Sequence, residues 1–195
     1  MANVCIITVN YNTPDLIERL IRSYYDYEYN NVPIYFVDGS TRDFQSACKD
    51  IYDTYNINHV FADYNIHHGP GLHYLITELP YDEYLLLDSD AYFIKSGMLS
   101  EMYNVLTGDC LGVGDIQYVD NDGENVSKSV GIPYLHPRCA LIRKDVYLKY
   151  NPLTLHGAPF IETMLGRPNL VPFNTKIYVR EEGRGTLNRF GLQIN

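Results

Sequence analysis

The apolar runs Val4-Cys5-Ile6-Ile7-Thr8-Val9, Val32-Pro33-Ile34-Tyr35-Phe36-Val37 and Tyr84-Leu85-Leu86-Leu87 constrain this chain more than any other feature. Each is continuous rather than alternating and too short for a helix, so each reads as a strand covered on both faces. Each also stops at polar residues: Asn10-Tyr11-Asn12, then Asp38-Gly39-Ser40-Thr41, then Asp88-Ser89-Asp90. Helical spacing comes after the first two. Thr13 can cap a helix with Pro14 at its first position, and Leu16, Ile17, Leu20 and Ile21 recur on one face. A second helix is expected over residues 43–55, a short third strand over 59–62, a polar Gly-Pro-Gly loop over 65–71 and a helix over 72–79.

Strands alternating with helices imply an α/β fold, a mixed but mostly parallel central sheet flanked by helices and joined by right-handed crossovers. In open sheets of that kind ligands bind beyond the carboxyl ends of the strands, so the three polar tips converge on one rim. Past Gly97 the order changes. Residues 111–119 read as a strand, 120–123 as a turn, 139–142 as a strand and 144–150 as a helix, a mixed or antiparallel half. The tail over 176–195 shows no clear pattern beyond a loop at 183–186.

With 195 residues the chain fits one domain, divided into a rim-bearing half at 1–97 and a second half at 98–195. No apolar run approaches the roughly 18 residues that a membrane span requires. Residues 4–9 are too short for a secretory signal and lack a basic leader, so a cytoplasmic location is expected. The four cysteines, Cys5, Cys48, Cys110 and Cys139, include no C-x-x-C pair, which argues against zinc and fits reduced packing residues. A net charge of −9 disfavours duplex nucleic acid as a partner. It suits a metal site instead.

On a strand Asp88 and Asp90 leave on the same face, separated by roughly 6.5–7 Å of rise, and two such carboxylates can share one hard cation. Mg or Mn fits oxygen ligands and completes its shell with water or with a substrate's phosphates. A turn or a helix N-cap uses the same residue types.

In order and spacing, Ile6-Ile7-Thr8-Val9-Asn10-Tyr11-Asn12, Val37-Asp38-Gly39-Ser40-Thr41 and Leu87-Asp88-Ser89-Asp90 resemble family 2 glycosyltransferases of the GT-A (Rossmann-like) fold. The resemblance runs over residues 3–95 and continues more weakly through 139–145 and 157–163. It implies a nucleotide-diphosphate sugar donor, with Tyr11 packing on the base and Asp38 accepting from its ring N–H. Val9, Asn10, Asn12, Gly39 and Ser40 would line the same loops, and Asp88 and Ser89 would lie near the ribose. Asp88 and Asp90 would hold Mn or Mg. Where the family has an Asn-x-Gly loop followed by Ala-Arg-Asn, with the Arg near the diphosphate, this chain has His67-His68-Gly69-Pro70-Gly71-Leu72-His73-Tyr74. His73 or His68 is therefore the candidate diphosphate contact, and Gly69 and Gly71 allow close backbone approach.

Residues 137–146 resemble the family's acceptor-side strand and helix, after which an acidic general base normally appears. Glu162 stands at that distance and would take the proton of an acceptor hydroxyl. The segment Tyr178-Val179-Arg180-Glu181-Glu182-Gly183-Arg184-Gly185-Thr186 resembles a His-x-Gly-Arg-Gly-Thr ending, with Glu181 where the His would stand. Glu181, Glu182 and His156 compete for the third metal ligand, and Arg184 is a candidate for the diphosphate. The implied activity is metal-dependent transfer of a hexose from a nucleotide sugar, by default a UDP-sugar, to a hydroxyl acceptor with inversion, retention being the other stereochemistry. A noncatalytic nucleotide-sugar-binding relative and a nucleotidyltransferase are the alternatives. The latter normally needs a Gly-rich basic loop near the first strand, and Asn10-Tyr11-Asn12 is not one.

Overall fold

The computed structural model describes residues 3–27, 29, 31–153 and 158–182. The chain begins with β1 (Val4–Asn10), α1 (Pro14–Asp26), β2 (Ile34–Asp38), α2 (Arg42–Thr54), β3 (Asn58–Phe61), α3 (His68–Glu78) and β4 (Glu83–Asp88). It continues through β5 (Ala91–Phe93), α4 (Met98–Val105), β6 (Cys110–Val119), β7 (Ile132–Arg143), α5 (Lys144–Tyr147), α6 (Ile161–Leu165), β8 (Asn169–Pro172), a 3-10 turn at Thr175–Ile177 and β9 (Val179–Glu181). Seven strands form one sheet in the order β3-β2-β1-β4-β7-β6-β8, and β5 pairs with β9 in a small second sheet. In the large sheet β7 runs against both of its neighbours, and the other pairings are parallel. This is the mixed, mostly parallel α/β architecture expected.

The continuous apolar runs arise from burial on both faces. Ile6, Leu85, Leu87 and Leu141 point into one core cluster with α1, α2 and α4. Cys5, Ile7, Leu86 and Ile142 point into a second cluster with α3, α5 and α6. Each fully buried Leu or Ile contributes about 1.5–3 kcal/mol relative to exposure. All four cysteines are buried free thiols.

Several local expectations change. Thr13 ends the loop before α1 but makes no cap bond; its hydroxyl donates to Asn10 Oδ1 at 2.5 Å. β7 begins at Ile132, well before the expected strand, and α5 stops at Tyr147. The tail carries β8, the 3-10 turn and β9. α3 starts at His68 rather than at Leu72. Pro70 is tolerated there because the first-turn amide it lacks has no intrahelical partner. Gly71 is required for another reason: a Cβ on it would lie 2.8 Å from Val9 Cγ2 and 3.1 Å from Val37 Cγ1. The glycine lets α3 press onto β1 and β2, which carries His68 to the strand rim.

Candidate functional site

The chain lays β2 and β3 on one side of β1 and then returns to place β4 on the other. Strand order reverses at β1, and the carboxyl ends of β1 and β4, where Val9 pairs with Asp88, form the edge at which open sheets of this kind bind ligands. The three polar tips meet there.

On the β2 side, Asn10 and Asp38 face each other across the ladder and are fully buried. Asn10 Nδ2 donates to Asp38 Oδ2 at 2.7 Å, the Tyr52 hydroxyl donates to the same oxygen at 2.8 Å, and Ser40 N donates to Asp38 Oδ1 at 2.8 Å. The carboxylate thus braces β1, β2 and α2 from within. The expected direct acceptor for a base N–H and this inward orientation differ, and Tyr52 is the residue that sequence reasoning missed. Cys48, beside Asn10 Nδ2 at 3.4 Å, is pushed up to about 12 by burial and by the Asp38 charge, so it stays a thiol. Asn12 adopts φ 59°, a left-handed conformation that Asn tolerates. Its amide donates to Ser40 Oγ at 2.8 Å, and its Oδ1 accepts from Thr41 N at 2.8 Å. These bonds hold the half-buried Tyr11 between two fixed neighbours. Gly39 lies under residues 64–66, where a Cβ would meet Tyr64 O at 2.8 Å.

On the β4 side, Asp88 Oδ1 is buried without a hydrogen-bond partner. His68 Nε2 stands 3.1 Å away as its ion-pair partner. Burial would raise the Asp88 pKa, but His68, His136 and Arg138 together hold it below the usual carboxylate value. His136, on β7, accepts from Arg138 N through Nδ1 at 3.2 Å, which places the proton of its neutral ring on Nε2. Burial lowers its pKa despite the pull of Asp88. Asp90 and Ser89 form the half-buried turn after β4, and the Asp90 carbonyl accepts from Glu182 N at 3.2 Å.

A carboxylate oxygen at a strand end with only the His68 ring beside it fits a hard cation such as Mn or Mg. Among the described residues no three His, Cys, Asp or Glu side chains converge to hold a metal ion unaided.

Other expected site residues go elsewhere. His73 Nδ1 lies 2.8 Å from the Tyr147 hydroxyl, and α5 comes directly after the end of β7 that pairs with the start of β4, so His73 belongs to the opposite rim. Glu181 Oε1 accepts from Arg138 Nη1 at 3.0 Å, and Glu182 pairs with Arg19. A carboxylate that neutralises an arginine is a poor third metal ligand, and these ion pairs are what occupies both residues. Arg184, with the rival His156, lies outside the described residues. Gly69 sits in the first turn of α3, which has no side-chain cap. Glu162 is half-buried in α6, which packs on β7; the preceding Phe160 N donates to the Tyr134 hydroxyl at 3.4 Å. No helix among the described residues is long and apolar enough to cross a membrane.

Residues 5–160 match the sequence family described as Glycosyl transferase family 2. No curated protein sequence matches the chain. Among solved structures, the mannosyltransferase PcManGT of Pyrobaculum calidifontis in complex with GDP-Man and Mn2+ is similar at TM-score 0.68 and 14% identity, over 88% of this chain and 55% of that one. Residues 1–349 of TarS of S. aureus, in complex with UDP-GlcNAc, are similar at TM-score 0.65 and 16% identity, over 94% of this chain and 60% of that one. The chain spans little more than half the length of these two. A 4-diphosphocytidyl-2C-methyl-D-erythritol synthase from Anaerococcus prevotii reaches TM-score 0.59 at 11% identity, over 89% of both chains. At such identities the likeness shows the fold alone, the GT-A fold.

Proposed function

Because this chain belongs to glycosyl transferase family 2, we propose that it transfers a sugar from a nucleotide diphosphate donor, by default a UDP-sugar, to a hydroxyl acceptor in a Mn- or Mg-dependent, inverting reaction. The observation that carries this reading is the Asp88 carboxylate at the carboxyl end of β4, paired with His68 at the start of α3. Asp88 and Asp90 would hold the cation. When bound, it would neutralise charge on the departing diphosphate.

The chain's own residues do the rest. The base lies against Tyr11 and the 38–40 tip, whose backbone Asp38 fixes from inside. Asn10, Asn12 and Ser40 hold Tyr11 at a set height above the strands, which spares the donor the cost of ordering the loop. His68, with the first amides of α3 at His68 and Gly69, offers donors to diphosphate oxygens. Glu162, on the acceptor side, takes the hydroxyl proton as oxygen attacks the anomeric carbon and the sugar–phosphate bond breaks. Orientation of donor and acceptor supplies the remaining acceleration.

A nucleotidyltransferase shares the fold over most of its length, so the test separates the two chemistries. The protein is incubated with UDP-glucose, UDP-galactose, UDP-GlcNAc or GDP-mannose, with and without Mn2+, and release of UDP or GDP is followed by mass spectrometry. Mn2+-dependent release from one donor supports the proposal. Binding of these donors without turnover indicates a noncatalytic relative, and pyrophosphate release from a nucleoside triphosphate indicates nucleotidyl transfer.

A further inference from the structure

We propose that Arg138 is a positioning residue for the acidic tip, fixing the Asp88-Ser89-Asp90 turn by tying β9 to the sheet. The inference rests on the donor and cation reading above. The antiparallel register of β7 on β4, with Leu87 opposite Cys139, brings Arg138 beside Asp88. Arg138 is only 7% exposed, unusual for an arginine without a matched set of acceptors. Its guanidinium meets three segments. Nη1 donates to Glu181 Oε1 on β9 at 3.0 Å, Nη2 donates to Asp115 Oδ2 on β6, and Thr175 Oγ1 of the 3-10 turn lies 3.4 Å from Nη2. Asp115 also accepts from Thr175, at 2.5 Å from Oγ1 and 3.4 Å from the amide.

β9 passes the restraint on. Glu181 pairs with Ala91 across the small sheet, and Glu182 N donates to the Asp90 carbonyl at 3.2 Å. The path from the guanidinium to the backbone of the acidic turn is thus one side-chain bond and one ladder. A planar fork serves two carboxylates on separate strands at once, which a lysine ammonium on a flexible stem does not reproduce. Coulomb's law makes the opposite demand: a guanidinium beside a cation site repels the cation. The proposed contribution is geometric and must outweigh that repulsion.

The two effects have opposite signs, so they can be separated. Arg138→Lys and Arg138→Gln are compared with the parent in two measurements. The first is hydrogen exchange of peptides over 88–93 and 178–182 in ligand-free protein. The second is calorimetric binding of UDP and GDP with and without Mn2+. Positioning predicts faster exchange at 88–93 and loss of about tenfold or more in the Mn2+-dependent part of nucleotide affinity, the scale found for residues that orient metal ligands. Nucleotide affinity without Mn2+ stays as in the parent. Unchanged exchange at 88–93, or Mn2+-dependent binding equal to or tighter than the parent's, overturns the proposal. Tighter binding is also the result expected if Glu181, once released, becomes a direct ligand. Should both variants fail to fold, Glu181→Gln is read in the same two measurements, because its side chain is 42% exposed and the core is spared. A parent that binds neither nucleotide defeats the donor reading alone, and the exchange measurement still decides whether Arg138 positions the turn.

Discussion

The Tyr52 hydroxyl, in the last turn of α2, donates to Asp38 Oδ2 at the tip of β2 across 2.8 Å. With Asn10 and Ser40 as the other donors, the carboxyl group is buried and satisfied within the protein. The tip it braces has little freedom left. On the proposed donor reading, a base would meet the ring of Tyr11 and the backbone of residues 38–40.

Tyr52→Phe keeps the ring and its packing against Phe36 and removes one donor to a buried carboxylate. A hydrogen bond to a charged group is worth about 1.5–3 kcal/mol. Urea unfolding should show a lower midpoint with an unchanged slope, the sign of lost stability rather than altered compactness. An unshifted midpoint would remove Tyr52 from the bracing of the tip.

Stability should also fall in mild acid through His73. Burial holds its folded pKa below the ordinary value of about 6.5, so the folded state favours the neutral ring. A group depressed in this way contributes its stability above the unfolded pKa and loses it as pH falls through the folded pKa. Melting temperature should therefore drop between about pH 7 and pH 5, and His73→Gln should flatten that part of the profile. A variant as pH-sensitive as the parent would place the sensitivity in His136 or elsewhere.

Much of this was readable in the chain because burial on both sheet faces leaves a strong mark: three continuous apolar runs, each closed by polar residues. Asp88 and Asp90 announce themselves that way. What could not be read depends on register. His73 illustrates it, since a helix starting at His68 turns about 100° per residue, and five residues on the side chain points some 140° away from His68. Gly-Pro-Gly reads as a loop by its composition, and only the close approach of Gly71 to Val9 explains why it is helix. Arg138 was visible as part of a strand, but its pairing beside Asp88 depends on a long-range antiparallel register that no local pattern encodes. Tyr52 was hidden among nineteen tyrosines, with no local signal to mark it as the partner of Asp38.

Asp90→Asn keeps the shape of the turn and removes one charge. If Asp90 holds the cation with Asp88, the Mn2+-dependent part of UDP or GDP binding should weaken by about 1.5–3 kcal/mol, roughly 10- to 150-fold. Affinity without Mn2+ should change little, and so should the melting temperature, because the residue lies in a half-buried turn outside the core. Calorimetry at fixed Mn2+ reads the first, and equal affinities in parent and variant would move the cation elsewhere.

Glu162 carries the last prediction. α6 packs on β7, the strand that also brings His136 and Arg138 to Asp88, and the Phe160 amide reaches the Tyr134 hydroxyl on that strand. The start of α6 therefore packs into the same core cluster as α3, the helix that carries His68. A hydroxyl attacking an anomeric carbon must lose its proton in the transition state, and a positioned carboxylate typically contributes about 10²–10⁴-fold to that step. Glu162→Gln should lower turnover by that factor while donor affinity stays within about twofold, because the change removes a proton acceptor and no donor contact. Loss of donor binding in parallel with turnover would make Glu162 a donor ligand. Near-normal transfer would instead turn attention to Asp115 or to retention without an enzymic base, Asp145 lying in α5 at the opposite rim.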